Sequence, residues 1–356
     1  MKILKKITAA IIICIMAMSL IGCHPKDEIA VTIDGQKYTS AYYMAALLNA
    51  YTEAQNLVYN DLSEEELSSS SKIDFSSKKV EGKAFDTWVK DTAIESLKQI
   101  AYYKSCCEKN ELKLTEEQTS SAEYYASLYW SSYGYSQLFE PNGVSLETYK
   151  KYMLDGSYSA LYFEHLYGKD GEKEIASKTV KSEFKKNFIL ANMLEVTFSE
   201  ETDAEKKKIG EQFEDYYKAL KNGKKTFEEV YVEYNNIKEE DHKHEEDGPK
   251  DPHATVIGDE GTGYEHDYYK DIKKLDAGEI KLIKKDDNAG YLLVIKQDIS
   301  ADKYYLENMD MTVRHLIKDE EFTADSEKAA AKLTADINKY AVNQFKVNKI
   351  VEPSYQ

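Results

Sequence analysis

The hydrophobic pattern of this 356-residue chain changes its period twice, and these changes limit the folds that the chain can adopt. After one hairpin-like segment, apolar residues up to 187 recur at the three- and four-residue spacing of helices. Residues 188–300 begin and end with strand-like runs, in the order strand, two helices, loop, helix, two strands. Helical spacing then returns and continues to 348. We predict an α+β protein in which a helical domain, made of an N-terminal segment and a C-terminal helix, carries an inserted α+β domain.

The amino terminus indicates export. Three lysines within the first six residues precede an apolar run over 7–21. This run is shorter than the roughly 20 residues of a membrane-spanning helix and fits the hydrophobic region of a signal peptide. It ends in Leu-Ile-Gly-Cys, which resembles a bacterial lipobox with Cys23 as the lipidated residue. We predict that 1–22 is removed and that a lipid on Cys23 anchors the chain outside the bacterial cell membrane. An ordinary secretory signal with an incidental cysteine is the alternative.

Charge and aromatic content narrow the class of partner. With 64 acidic residues against 47 lysines and arginines, the net charge of −17 argues against nucleic-acid binding, which depends on clustered positive charge. The chain has 29 tyrosines, 11 phenylalanines and 2 tryptophans, a bias that suits half-wet binding surfaces. The densest aromatic segment lies within 124–135. It either lines a cleft that holds unfolded chain or forms the core of a helical domain.

The sequence carries no recognisable catalytic or nucleotide-binding motif. Gly-x-Ser-x-Gly, a phosphate-binding loop and Gly-x-Gly-x-x-Gly in a strand-to-helix context are all absent, so we expect no cofactor. Cys106 and Cys107 are adjacent on a helical pattern, which favours structural thiols over redox chemistry.

Three histidines, His242, His244 and His253, lie in a charged loop. Imidazole is a good ligand for Zn²⁺ and Cu²⁺, and these residues are the candidate metal ligands. Their spacing matches no closed structural site, and a solvated acidic loop is the alternative interpretation.

Five short segments in one order resemble parvulin-type prolyl isomerase domains. They are the strand over 188–196, a Gly-x-x-x-Phe-Glu-Glu helix start within 221–229, and turn or strand motifs at 258–261, 275–280 and 289–295. Together with the lipobox, an N-terminal hairpin and helical flanks, they resemble the PrsA/SurA family of extracytoplasmic foldases. Each segment is weak alone, and the order carries the resemblance.

The resemblance implies a division of the chain into four parts. These are a lipoprotein signal peptide (1–22), a mostly helical chaperone domain (23–187), a parvulin-like domain (188–300), and a C-terminal helical segment that packs on the N-terminal domain (301–356). It also implies unfolded or translocating secreted proteins as partners, and it leaves a homo-oligomer open.

The residues depart from the family at the active site. Parvulins carry facing histidines on the first and last strands, and the matching positions here are Met193 and Leu292. The resemblance therefore implies binding with weak or no isomerase activity. Tyr264 and Tyr268 match the family's proline pocket, and we assign Tyr264, Tyr268 and Tyr291 to substrate binding.

Two alternatives remain open. The chain is an active prolyl isomerase if another polar pair serves the site, and Glu195 and His266 are the candidates. Otherwise it is a non-catalytic lipoprotein module that binds one partner or a metal through the loop 238–266.

Overall fold

The computed structural model describes residues 27–63, 65, 66, 73–238, 242, 244 and 248–353. Cys23 and the predicted signal peptide lie outside these residues. The chain combines helices with antiparallel sheets, so the predicted α+β class is confirmed. Its described residues fall into two units, unit 1 (27–166 and 320–353) and unit 2 (167–319). Within the described part of the chain, no helix has the length and apolar character needed to cross a membrane.

Unit 1 is mainly helical. Its elements are β1 (Ile29–Ile33), β2 (Gln36–Thr39), α1 (Ser40–Asn60), β3 (Lys79–Val80), β4 (Lys83–Ala84), α2 (Phe85–Lys109), α3 (Glu116–Ser132), α4 (Tyr135–Phe139), α5 (Leu146–Gly156), α6 (Tyr158–Tyr167), β9 (Ala335–Ile337) and α12 (Lys339–Asn343). The predicted hairpin is confirmed, since β1 and β2 pair antiparallel around Asp34 and Gly35. Both turn residues have positive φ, at 48° and 84°, as a two-residue type I′ turn requires.

The C-terminal segment differs from the prediction. The helix that begins at Lys303 ends at Ala330, so the expected continuation to 348 is wrong. The chain instead adds β9 to the free edge of β1, with Ile337 opposite Val31. The strand satisfies an otherwise open edge, and Asn338 then caps α12 by accepting hydrogen bonds from two backbone N–H groups.

Unit 2 is built on a four-stranded antiparallel sheet in the order β6-β5-β8-β7. Its elements are α7 (Ser177–Asn187), β5 (Phe188–Thr197), α8 (Asp203–Lys221), α9 (Phe227–Tyr234), β6 (Ala254–Gly258), α10 (Tyr269–Lys273), β7 (Ile280–Lys284), β8 (Gly290–Gln297) and α11 (Lys303–Ala330), which continues into unit 1. Capping boxes begin α8 at Thr202 and α9 at Thr226. In each, the N-cap threonine and a glutamate three residues later satisfy backbone N–H groups of the first turn.

The two faces of this sheet bury different clusters. Side chains alternate along β5 and β8, so every second residue points to the same side. Ala191 and Leu292 lie with α10 on one side, which we call the α10 face. Leu194 and Leu293 lie with α8 and α9 on the other side, which we call the α8 face. Successive residues of β5 and β8 therefore contribute to opposite faces of the sheet.

A buried arginine links the flanks of unit 2. Arg314 on α11 is 1% exposed, and its guanidinium donates hydrogen bonds to the backbone oxygens of Tyr167 and Ile175 at 2.6 and 2.9 Å. Its Nε also lies 2.6 Å from a carboxylate oxygen of Asp310. The buried charge is thus fully paired, as burial of a guanidinium requires.

Candidate functional site

The two positions that correspond to the parvulin histidines lie on the α10 face. Leu292 is fully buried, and Met193 packs against the same cluster while remaining half-buried. In the sheet register, Met193 is opposite Val294 and Leu292 is opposite Glu195, so the two side chains are diagonal neighbours. Both are apolar and lack any group that donates a strong hydrogen bond or transfers a proton. Of the two, only Met193 reaches the surface, where it can desolvate a bound chain without acting as an acid or base.

A cluster of polar side chains lies directly beside these residues. Glu195 Oε1 is 2.6 Å from Lys285 Nζ, and Glu195 Oε2 is 3.8 Å from His266 Nε2. The ammonium of Lys285, which is 9% exposed, also donates a hydrogen bond to Thr197 Oγ1. The structure therefore brings together Glu195 and His266, the polar pair considered from sequence. The partner Lys285 was not identified from sequence, because it follows β7 without any motif.

The three tyrosines assigned to substrate binding do not form one pocket. Tyr268 packs against the α10-face cluster, and Tyr264, at 40% exposure, places its ring against Phe188 with centroids 5.8 Å apart. Tyr291 lies on the α8 face, stacked on Phe213 at 5.8 Å and 29°. In β8, Tyr291 directly precedes Leu292, a residue of the α10 face. Neighbouring residues of a strand point to opposite sides of the sheet, so Tyr291 points to the α8 face. Tyr268 and Tyr291 therefore lie on opposite faces of the sheet and cannot line one pocket.

Unit 1 exposes a row of tyrosines on α3. Tyr124, Tyr125 and Tyr133 are 63%, 48% and 66% exposed, whereas Trp130 on the same helix is buried. Their rings form a chain through Tyr129, with neighbouring centroids 5.5, 6.4 and 5.4 Å apart. We call these four residues the tyrosine face. The segment is thus divided between core and surface, since its tryptophan is buried and its outer tyrosines are exposed.

A groove runs along this surface. Tyr125 and Tyr129 line it with residues that are small, apolar or neutral polar apart from one glutamate: Leu114, Glu117, Gln118, Ser121, Ala122, Met153, Ser157 and Ala160. Wide apolar rings with hydroxyl tips, next to small side chains, can contact extended chains of many sequences.

The histidines of the charged loop converge. Four side chains each place one possible ligand atom within 4.8 Å of the other three: His242, His244, His253 and Glu228. His242 and His244 place their Nε2 atoms 3.3 and 3.4 Å from Glu228 Oε1. The three histidines were candidates from sequence, whereas Glu228 was not, because acidic residues are common in the first turn of a helix and Glu228 lies in that turn of α9.

The surroundings of His253 hold its ring in place. Tyr231 and Phe227 of α9 lie 4.3 and 6.1 Å from it between ring centroids. Its backbone N–H donates to Asp251 Oδ1 at 3.1 Å. Burial lowers the pKa of His253, which favours the neutral imidazole with a free lone pair.

Comparison with known proteins gives only distant likenesses. No family model and no curated protein matches the sequence. Among solved structures, PrsA from Bacillus subtilis is 18% identical with a TM-score of 0.34, covering 69% of this chain and 85% of its own. The foldase protein PrsA from Lactococcus lactis is 12% identical with a TM-score of 0.37, covering 90% and 99%. PrsA from Streptococcus pneumoniae is 11% identical with a TM-score of 0.37, covering 77% and 97%. Likenesses at this level assign neither a family nor an activity.

Proposed function

We propose that this protein is a lipid-anchored, extracytoplasmic folding factor that holds unfolded secreted proteins. The observation that carries the proposal is the tyrosine face of unit 1. Unit 2 acts in this proposal as a parvulin-like binding module with little or no isomerase activity. The anchor is the lipid on Cys23, and the division into a helical body and a module over 188–300 is part of the same proposal.

The tyrosine face suits an unfolded client better than a folded one. Three large rings that are about half or more exposed present apolar area beside an open groove. Tyrosine also loses little rotamer freedom on binding, and its hydroxyl can bond to whatever backbone group a client presents. A net charge of −17 keeps such a surface soluble and repels other copies of the chain.

The α10 face supports binding more strongly than catalysis. Prolyl isomerisation has a barrier of about 18–20 kcal/mol, which arises from amide resonance. A catalyst must bind the twisted amide more tightly than the planar one. Met193 is half-buried and can contact a proline ring, whereas Leu292 beside it is fully buried, and neither has a group that hydrogen-bonds selectively to the twisted amide.

A second candidate is an active isomerase that uses the cluster of Glu195, His266 and Lys285. The observation in its favour is that these side chains meet on the α10 face next to Met193. An imidazole and an ammonium beside a carboxylate can donate hydrogen bonds to a peptide oxygen in a partly desolvated site.

The holding function is tested by suppression of aggregation of a chemically unfolded client by soluble 24–356. We expect the triple variant Tyr124→Ser/Tyr125→Ser/Tyr133→Ser to lose most of the suppression. Exposed substitutions change stability by only about 0.5 kcal/mol each, so the fold is retained. Tyr340→Ser is the matched control, because Tyr340 is 73% exposed in unit 1 but lies outside the tyrosine face. Full suppression by the triple variant, or equal loss in the control, would contradict the proposal.

The isomerase question is tested separately with a proline-containing peptide. We expect the wild type to be near background, and Met193→His/Leu292→His to gain activity if the module retains the parvulin arrangement. A wild type that is active, and that becomes inactive after His266→Ala, would establish the second candidate instead.

A further inference from the structure

Three imidazoles and a carboxylate meet at a site that the folding function does not use. The four ligand atoms of Glu228, His242, His244 and His253 lie within 4.8 Å of one another. In a tetrahedral zinc site with bonds of about 2.0–2.1 Å, ligand atoms are about 3.3–3.4 Å apart. The separations from Glu228 Oε1 to the Nε2 atoms of His242 and His244, 3.3 and 3.4 Å, already match this edge length.

Two of the ring nitrogens have no hydrogen-bond partner among the described residues. The Nε2 atoms of His242 and His253 are shielded from solvent and make no hydrogen bond within the described part of the chain. Glu228 lies near His242, but the pair does not form a hydrogen bond of good geometry. Buried polar atoms are almost always satisfied, and an exception of this kind is typical where an ion or water binds. Two such atoms in the side chains of one cluster indicate that a shared ligand binds there.

We propose that Glu228, His242, His244 and His253 bind one Zn²⁺ in a four-coordinate site. Three imidazoles and one carboxylate are ligands that zinc prefers, whereas Mg²⁺ and Ca²⁺ take oxygen ligands almost exclusively. Cu²⁺ and Ni²⁺ also bind imidazole, but their preferred geometry is square-planar or tetragonal.

Contacts around the ligands support the site. The ring of His253 packs against Tyr231, 4.3 Å away between centroids, and its backbone N–H donates to Asp251. His242 stacks on His253 with the rings 5.2 Å apart and 5° from parallel. Aromatic and backbone contacts of this kind fix the direction of ligating nitrogens and limit access of water.

The site has a structural role in this proposal. Four protein ligands leave no open position for a substrate, which is the mark of a structural rather than a catalytic zinc. Glu228 belongs to the first turn of α9, and His253 immediately precedes β6. The metal therefore joins the beginning of α9 to the residue before the edge strand β6, together with His242 and His244, which lie between them in the sequence. Binding to the folded form alone stabilises unit 2.

The test is zinc titration of tag-free, metal-stripped soluble 24–356, by calorimetry and by native mass spectrometry. Co²⁺ is added in parallel, because its visible absorption distinguishes tetrahedral from octahedral coordination. The variants are His253→Ala and Glu228→Gln. The second variant guards against misfolding, since the Glu228 side chain is 49% exposed. His315→Ala is the control, because it removes an imidazole of unit 2 that lies outside the cluster.

We expect one zinc per chain, a tetrahedral cobalt spectrum, and a melting temperature for unit 2 that rises by about 5–10 °C at a hundredfold excess over the dissociation constant. Loss of a ligand should weaken binding by more than the roughly 10–100-fold that loss of an outer-shell partner costs. His315→Ala should bind as the wild type does. An absence of zinc binding, an octahedral cobalt spectrum, or unchanged affinity in both His253→Ala and Glu228→Gln would overturn the proposal.

Discussion

Substituting Gly210 with alanine tests the placement of Tyr291 on the α8 face. Gly210 lies inside α8, and a Cβ atom there would approach the Tyr291 hydroxyl oxygen to 2.6 Å and its Cζ to 3.0 Å. The hydroxyl contact is roughly 0.8 Å shorter than ordinary van der Waals contact. Tyr291 has little room to retreat, because Phe213 stacks on its ring at 5.8 Å and Phe198 contacts it edge-on at 5.9 Å.

Two effects of opposite sign determine the result. Alanine is better than glycine inside a helix by about 0.8–1.0 kcal/mol. Overpacking of a filled site costs about 1–3 kcal/mol. We therefore expect Gly210→Ala to lower the stability of unit 2 by about 0–2 kcal/mol. In a Tyr291→Phe background the hydroxyl is gone, so the same substitution should become neutral or stabilising, with a coupling energy of about 1–2 kcal/mol between the two positions.

The assay is urea unfolding of soluble 24–356, followed by hydrogen exchange at the amides of β8. Tryptophan fluorescence is unsuitable for unit 2, because Trp88 and Trp130 both belong to unit 1. Gly156→Ala is the matched control at the end of α5, where an added Cβ meets no atom within 4 Å. It should stabilise unit 1 by up to about 1 kcal/mol, and fluorescence can follow that change.

Additive effects of Gly210→Ala and Tyr291→Phe would refute the reasoning. A coupling energy below about 0.5 kcal/mol is the value expected of independent sites. It would mean that the Tyr291 ring does not pack under Gly210. The residue would then be available again as a candidate for binding substrate.

Three further predictions concern buried groups. Asn192 is fully buried and donates to Asp251 at 3.1 Å, so Asn192→Ala should cost about 1–3 kcal/mol, measured by hydrogen exchange of the sheet amides. Arg314→Met should cost about 3–5 kcal/mol in the same assay, because it leaves two buried carbonyls and a carboxylate without their partner. Burial, with a smaller contribution from Cys106, raises the pKa of Cys107 to about 11, and only the thiolate reacts. Iodoacetamide should therefore modify Cys107 slowly at pH 8, faster as the pH rises toward 11, and equal labelling of both cysteines at pH 8 would contradict this.

The sequence predicted strands and helix starts well where local chemistry decides them. The Asp34-Gly35 turn and the capping box at Thr226 depend on neighbouring residues alone, and both are present. It missed β6, whose sequence Ala-Thr-Val-Ile-Gly does not alternate regularly between apolar and polar residues and which pairs with the edge that β5 offers. The predicted helix does not continue beyond Ala330 for a similar reason. Pairing of β9 with β1 outweighs the weak helical spacing of this segment.

The candidate sites were less predictable because they depend on partners distant in the chain. Three histidines close together in sequence suggest a metal, but the carboxylate that completes their set comes from Glu228, at the start of a separate helix. Likewise, Lys285 comes close to Glu195, the partner of His266, only because the strands of the sheet pair in this register. Sequence spacing identifies the ligands that lie on one segment, whereas the remaining ligands follow from strand order and helix packing.

The tyrosine face shows why composition alone did not decide its role. Helix α3 carries two neighbouring stripes at four-residue spacing, one of Ala122, Ala126 and Trp130 and the other of Tyr125, Tyr129 and Tyr133. Hydrophobicity does not separate them, since tyrosine rings and alanines are both compatible with a core. The stripe with the two alanines is the buried one, because the alanines let α3 approach α5 while Trp130 packs against Tyr149 of α5 with ring centroids 5.6 Å apart. Exposure of the tyrosines thus follows from the close packing of their neighbours, and it leaves a broad aromatic surface on a rigid helix, which is the arrangement that a holding function needs.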